Sequence, residues 1–143
     1  MSARDGIAQT LARYALGLDE GRDDLLADCL CDDVVLNFPA LGQTVVGRED
    51  AIAYLQGRRA TRSDVNEQAR HVITNLYVVE EDEAQALVTS YYILVVTAAE
   101  GTRTSSGWYR DRLVRDGERW RFAERTILSD RGGASTVRVL PES

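Results

Sequence analysis

The sequence predicts an α+β domain in which three helices come first and a strongly bent antiparallel sheet follows. Three observations carry that prediction. Apolar residues recur at helical spacing only before Gln56. From Arg70 onward they alternate or run on at strand spacing. Short turn sequences, Glu81-Asp82-Glu83, Ala98 to Thr102 and Asp116-Gly117, separate the strand-like runs from one another.

The elements follow in order. Ile7, Leu11, Tyr14, Ala15 and Leu18 lie on one stripe of a helix that contains Gly17 and ends at Gly21. Asp23 or Asp24 caps a second, short helix carrying Leu25, Leu26, Cys29 and Leu30. Asp32-Asp33 closes it and leads into the β-rich run from Val34 to Phe38. Pro39 and Gly42 mark a turn, Gln43 to Gly47 is a short strand, and Arg48-Glu49-Asp50 opens a third helix with Ile52 and Leu55 on its stripe. The polar segment from Gln56 to Gln68 is expected to be a loop, either a solvated connection or a lid over a pocket. Four strands are then expected, at Arg70 to Glu80, Ala84 to Thr97, Thr104 to Arg115 and Arg119 to Leu128; the last pair is joined by the hairpin turn at Asp116-Gly117. Residues 129–143 form a Gly- and Ser-containing tail in which Val137, Val139 and Leu140 could dock. With no repeat and no linker, residues 1–143 are expected to form a single domain.

Composition narrows the function. The formal net charge is −6, which argues against nucleic acid, whose affinity comes largely from neutralised phosphates. All 17 basic residues are Arg, so neither a Schiff-base lysine nor a phosphate-loop lysine is available. No run approaches the roughly 18 apolar residues of a membrane helix, and the N-terminus does not resemble a signal peptide, so a cytoplasmic protein with no membrane partner is expected. Cys29 and Cys31, the only cysteines, are expected to be free thiols. One histidine with scattered acids makes a poor metal site, and neither metal nor cofactor is expected.

The strand from Ala84 to Thr97 is informative about partners. Gln85, Leu87, Thr89, Tyr91, Ile93 and Val95 form one face; Ala86, Val88, Ser90, Tyr92, Leu94 and Val96 form the other. Both are largely apolar, so both should be covered, one by helices and one by a second copy in a homodimer through the sheet.

Four segments in this order, ARYALGLDEGRDDLLADCLCDDVVLNF, GREDAIAYL, RHVITNLYV and GWYRDRLVRDGERWRFAER, resemble the SnoaL-like branch of the NTF2-like superfamily over residues 5–128. The resemblance implies a cone-shaped α+β fold and a cavity inside it. The branch includes polyketide cyclases, scytalone dehydratase-like and bile-acid dehydratase-like lyases and a dehydrochlorinase. Several of its lyases face an Asp at the end of the first helix with a His on the first long strand, and Asp19 and His71 match those positions. The bile-acid dehydratase-like members also carry a Tyr five residues before that Asp, matched by Tyr14. Other members differ from this chain. The scytalone dehydratase-like enzymes use a second His, which is absent here; the Asp-Arg-Asp set of the limonene epoxide hydrolase-like members has no placed counterpart; and the ketosteroid isomerase-like members use a carboxylate base without this His.

His71, the only histidine, is the one side chain whose ordinary pKa suits proton transfer near neutrality. A carboxylate holding one ring nitrogen leaves the other free as a base and stabilises the imidazolium. Asp19 is the candidate for that carboxylate. Each assignment has a plainer alternative: His71 can be a packed strand residue and Asp19 a helix-end turn residue. Tyr14 can donate a hydrogen bond to substrate or sit in the core, and it shares a face with Asp19 only if the helix ends near Gly17. Period two places Ile73, Asn75 and Tyr77 beside His71, making Asn75 a candidate for substrate contact or for a sheet edge. Tyr91 and Trp108 are aromatic candidates for the pocket; Trp108 and Tyr109 point to opposite faces, so at most one of that pair lines it. Arg125, grouped by period two with Arg121 and Ala123, matches a basic residue of the dehydrochlorinase-like members, as an anion or leaving-group stabiliser. Its alternative is a surface ion pair with Glu124 or Asp111, and a one-residue slip would reverse its face.

The expected function is a cofactor-independent lyase, isomerase or cyclase acting on a small apolar oxygenated molecule, polyketide- or steroid-like. The alternatives are a non-catalytic ligand-binding or scaffold protein and an accessory chain similar to the β subunit of ring-hydroxylating dioxygenases.

Overall fold

The computed structural model describes residues 2–130. Three helices, α1 (Ala3–Glu20), α2 (Asp23–Cys29) and α3 (Arg48–Asp64), pack on a sheet of six strands: β1 (Leu30–Phe38), β2 (Gln43–Val46), β3 (Gln68–Glu81), β4 (Gln85–Ala98), β5 (Gly101–Asp116) and β6 (Arg119–Ser129). The strand order is β2-β1-β6-β5-β4-β3. Every pair is antiparallel except β1 and β6, which run parallel, so the sheet is mixed and open rather than wholly antiparallel. The tail from residue 131 lies outside the described residues, and with it the expected docking of Val137, Val139 and Leu140.

α1 begins at Ser2, whose side chain accepts a hydrogen bond from the Asp5 N–H, and ends where Gly21 turns left-handed at φ 67°. Gly17 does not end it. A Cβ there would meet Leu26 Cγ at 2.7 Å, so Gly17 permits the close approach of α2 within an unbroken helix. α1 lies across the sheet with Ile7 and Leu11 buried, and Thr10 Oγ1 donates to the Trp120 carbonyl on β6 at 2.6 Å. Ile7, Leu26, Leu36, Leu113 and Phe122 are fully buried at the centre of the core. Each such side chain contributes about 1.5–3 kcal/mol of burial free energy.

Four expectations are corrected. β1 starts at Leu30, not Val34, and Asp32-Asp33 lies within it, where its register against β6 shifts between Leu30 and Val35. The segment expected to be a loop is helix as far as Asp64. Ala51 and Leu55 anchor α3 to the core, and the continuing turns carry polar side chains because they border a cavity. On β3 the register slips between Thr74 and Tyr77, with Asn75 left-handed at φ 55°. Leu76 and Val78 therefore continue the inner face begun by His71 and Ile73, and Tyr77 is 65% exposed. On β6, Leu113 pairs with Phe122 but Arg112 with Glu124, leaving Ala123 as the extra residue of a bulge. Trp120 and Phe122 on one side of that bulge, and Ala123 and Arg125 on the other, are all buried.

On β4, Ala86, Val88, Ser90, Tyr92 and Val96 are buried beneath the helices. Leu87, Tyr91 and Ile93 are exposed on the opposite face of this chain. Gly107 on β5 sits beneath Tyr92, and a Cβ there would lie 2.2 Å from the Leu128 carbonyl oxygen and 2.6 Å from the Tyr92 ring. Gly107→Ala must displace both a neighbouring strand and an aromatic that borders the cavity. We expect a loss of about 1–3 kcal/mol of stability in urea unfolding; an unchanged midpoint would contradict the close approach.

Candidate active site

Asp19 occupies the last turn of α1, and β3 is the outer strand of the sheet running past that turn. The Asp19 carboxylate grips His71 twice. Oδ2 accepts the His71 backbone N–H at 3.0 Å, and Oδ1 lies 2.6 Å from ring Nδ1. The N–H that Asp19 accepts is therefore satisfied by the helix, which covers the strand edge there. The Asp19 carbonyl receives Gln68 Nε2 at 3.1 Å and Arg59 Nε at 3.4 Å. Next in the chain, Glu20 pairs with Arg70. The Asp19 side chain is 7% exposed and that of His71 13%. Nδ1 is thus the nitrogen that carries the proton in neutral His71, and Nε2 makes no hydrogen bond among the described residues.

Both residues border a cavity of about 240 Å³ between α1, α3 and the inner face of the sheet. Leu18, Phe38, Leu55, Leu94 and Ile127 supply apolar wall, while Tyr14, Tyr92 and Tyr109 bring phenols to it. Tyr92 stacks on Tyr109 with centroids 4.9 Å apart, and its hydroxyl lies 3.3 Å from Ser129 Oγ. Tyr14 meets Tyr109 and Phe122 edge-on. Burial pushes the Tyr14 phenol up to about 12 and that of Tyr109 further, against the opposing pull of Arg125. Both are therefore protonated donors at neutral pH.

Arg125 lies behind this wall, fully buried. Its Cζ is 3.5 Å from the Tyr109 ring centroid, 4.3 Å from that of Tyr14 and 4.4 Å from that of Phe122. Asp111 holds it from β5, with Nε–Oδ1 at 3.0 Å and Nη2–Oδ2 at 3.3 Å, while Nη1 has no partner among the described residues. Burial pushes the Asp111 carboxyl upward, opposed by the guanidinium. The pair is buried rather than on the surface, and Arg125 does not itself line the cavity.

The structure therefore brings Tyr14, Asp19 and His71 to one cavity and places none of the other four candidates on its wall, Arg125 lying behind it. Tyr14 and Asp19 share this cavity along an unbroken helix, without the helix end near Gly17 that the sequence argument required. Tyr91, 54% exposed, and Trp108, beneath the Arg110 guanidinium, lie on the outer face of the sheet, where Asn75 joins them at one groove. The β3 bulge takes Asn75 out of the His71 row, and on β5 it is Tyr109 that turns inward. Sequence reasoning missed Tyr92 and the three arginines of α3, Arg58, Arg59 and Arg62, which border the cavity. Their spacing at i, i+1 and i+4 could have shown them, had the segment been read as helix. Among the described residues no cluster of His, Cys, Asp and Glu could hold a metal, and no helix is long and apolar enough to cross a membrane.

This geometry defines an α+β protein with a buried carboxylate–imidazole pair at the edge of a cavity between the helices and the sheet. By its sequence the chain belongs to the SnoaL-like domain family, whose profile matches residues 1–126. Among solved structures it is similar to a form of Rv3472, a Mycobacterium tuberculosis protein of unknown function, at 28% identity and TM-score 0.74, covering 93% of this chain and 75% of that one. It is similar in fold to Aln2 from a Streptomyces species, at 22% identity and TM-score 0.78, covering 90% and 93%. A provisionally assigned scytalone dehydratase from Novosphingobium aromaticivorans shares the fold at 20% identity and TM-score 0.76, covering 94% and 89%. No curated protein matches the sequence.

The buried pair yields a direct expectation. Arg125→Met leaves Asp111 without its cation and should destabilise the fold by about 3–5 kcal/mol in urea unfolding. Replacing both, with Asp111→Leu added, should recover most of that loss. A double variant no more stable than the single one would contradict this account.

Proposed function

We propose that this protein is a cofactor-independent lyase, isomerase or cyclase acting on a small apolar oxygenated molecule. The observation that carries the reading is the 2.6 Å contact between Asp19 Oδ1 and His71 Nδ1 at the wall of the cavity between α1, α3 and the sheet. Asp19 holds the tautomer whose Nε2 is free, and its charge stabilises the imidazolium. Nε2 takes a proton from a carbon next to a substrate carbonyl. The electron pair of that C–H bond moves into the carbonyl, and negative charge collects on its oxygen. The phenols of Tyr14 and Tyr109 are the donors available to that oxygen, with the Arg125 charge behind them. The enolate then expels a group from the adjacent carbon, is reprotonated elsewhere, or attacks a second carbonyl. These outcomes are elimination, isomerisation and cyclisation, and all three share the first step. The SnoaL-like family and the fold shared with a provisionally assigned scytalone dehydratase support this class of chemistry.

The exposed Leu87, Tyr91, Ile93 and Trp108 on the outer face suit a second copy of this chain as the protein partner. Sedimentation velocity should give a dimer, and Ile93→Glu a monomer. A monomeric wild type would remove this part of the proposal.

Two experiments test the chemistry. In a panel of small oxo- and hydroxy-ring compounds, any substrate found should lose about 10²–10⁴-fold in kcat with His71→Ala; unchanged turnover would eliminate the His71 base. In ¹⁵N NMR, neutral His71 should be protonated at Nδ1, and Asp19→Asn should shift the population toward the Nε2–H tautomer. A wild-type ring already protonated at Nε2 would count against Asp19 as the orienting group.

A further inference from the structure

α3 points three cations at the cavity. Arg58, Arg59 and Arg62 all border it, in a chain whose formal net charge is −6. Two of them have local work: Arg58 Nη1 donates to the Tyr54 hydroxyl at 3.2 Å, and Arg59 Nε to the Asp19 carbonyl at 3.4 Å. The Arg62 side chain has neither ion pair nor hydrogen bond among the described residues, although the residue is partly buried; only its backbone carbonyl is engaged, by the Val65 and Glu67 N–H groups. The nearby acid is already taken, because Glu67 is held in a two-pronged pair by Arg103, with contacts of 2.6 and 2.9 Å. Burial and the like charges of Arg58 and Arg103 disfavour the charged form of Arg62. A cation kept half out of water without an acidic partner is costly unless an anion completes it. Elsewhere in the structure Arg22, Arg48, Arg70, Arg103, Arg119, Arg121 and Arg125 each have an acidic partner; Arg13, also partly buried and without an ion pair among the described residues, does not border this cavity.

We infer that the molecule this cavity receives carries a carboxylate, which docks on Arg62 with Arg58 and Arg59 beside it while its apolar body enters toward His71. The inference rests on the acid–base reading of the same cavity and names its substrate class. A planar guanidinium matches a carboxylate with two parallel donors. The spacing limits the size of that acid. Arg59 touches the carbonyl of Asp19, whose carboxylate holds His71, so the arginine cluster adjoins the base. At about 240 Å³ the cavity falls below the usual range of about 300–1,000 Å³ for ligand pockets. A ring acid of one or two fused rings suits it better than a four-ring steroid.

The test compares 2-naphthoate with its neutral isostere 2-naphthamide by isothermal titration calorimetry on the full chain. Naphthoate should bind about tenfold or more tightly at low ionic strength, as a charge-assisted pair requires, and salt should erode the difference. Arg62→Gln should reduce the preference to about threefold or less while leaving naphthamide affinity unchanged, which also reports an intact cavity. Arg62→Lys should retain part of it. Equal affinities in the wild type, no naphthoate binding, or a full preference in Arg62→Gln would overturn the inference. The same titration on His71→Ala, read beside the turnover of that variant in the substrate panel, separates the two readings. A preference retained there beside normal turnover removes only the His71 base; lost turnover without any preference for the acid removes only the carboxylate.

Discussion

The site depends on a carboxylate at the electrostatically wrong end of a helix. The last turn of α1 contains Asp19 and Glu20 and no basic residue, against a macrodipole that disfavours negative charge there by about 0.3–1 kcal/mol per group. Each acid is offset from outside the helix. Glu20 pairs with Arg70, and Asp19 takes the backbone N–H of His71 together with its ring. Because one carboxylate fixes both the strand and the imidazole, the relative position of α1 and β3 and the orientation of His71 are a single constraint. A departure from good helix design therefore coincides with the candidate chemistry, as expected of positions that serve function at some cost in stability.

Behind the cavity wall a second constraint acts. A fully buried arginine must be paired and packed, and Arg125 has both a carboxylate from β5 and three aromatic rings within 4.4 Å. The arrangement reaches the cavity only through those rings. Tyr14 and Tyr109 form part of the wall and the cage at once, so the phenols that would meet a substrate oxygen are held rigidly by the cation beneath them. Gly107 extends this chain of dependence. Its missing side chain lets Tyr92 settle over β5 and stack on Tyr109.

Much of this was legible because it lies where periodicity is clean. The helical stripe of α1 and the strand run of β3 placed Asp19 at a helix end and His71 on a strand, and the resemblance to SnoaL-like segments singled them out as a pair. Sequence reasoning failed where the chain carries an extra residue. One bulge at Asn75 and another at Ala123 each move a row of side chains across the sheet, and neither Asn nor Ala announces a bulge by itself. α3 was cut short for a different reason. Its second half has no core to face, so its polarity reads as loop, whereas those polar residues are the cavity-facing part of a helix anchored through Leu55. Tyr91 and Trp108 were drawn into the pocket by their chemistry alone; strand alternation already assigned their neighbours Tyr92 and Tyr109 to the opposite face.

Taken together, the charges form an ordered series. Cations of α3 border the cavity, a carboxylate–imidazole pair lies beside them, and protonated phenols backed by a buried guanidinium occupy the wall. Asp111 is paired with Arg125, and Glu67 at the cavity border with Arg103, while Asp19 is hydrogen-bonded to an imidazole rather than to a cation. The cations without an acidic partner therefore stand on one side of the base, on α3. That polarity opposes a substrate bringing a cation and favours one that arrives as an anion or becomes one when its proton leaves. In the proposed reaction the imidazolium formed at His71 would be paired with Asp19, which makes the proton transfer easier. On that reading the groups facing the developing negative charge are in place before the proton moves, which is the condition electrostatic preorganisation requires.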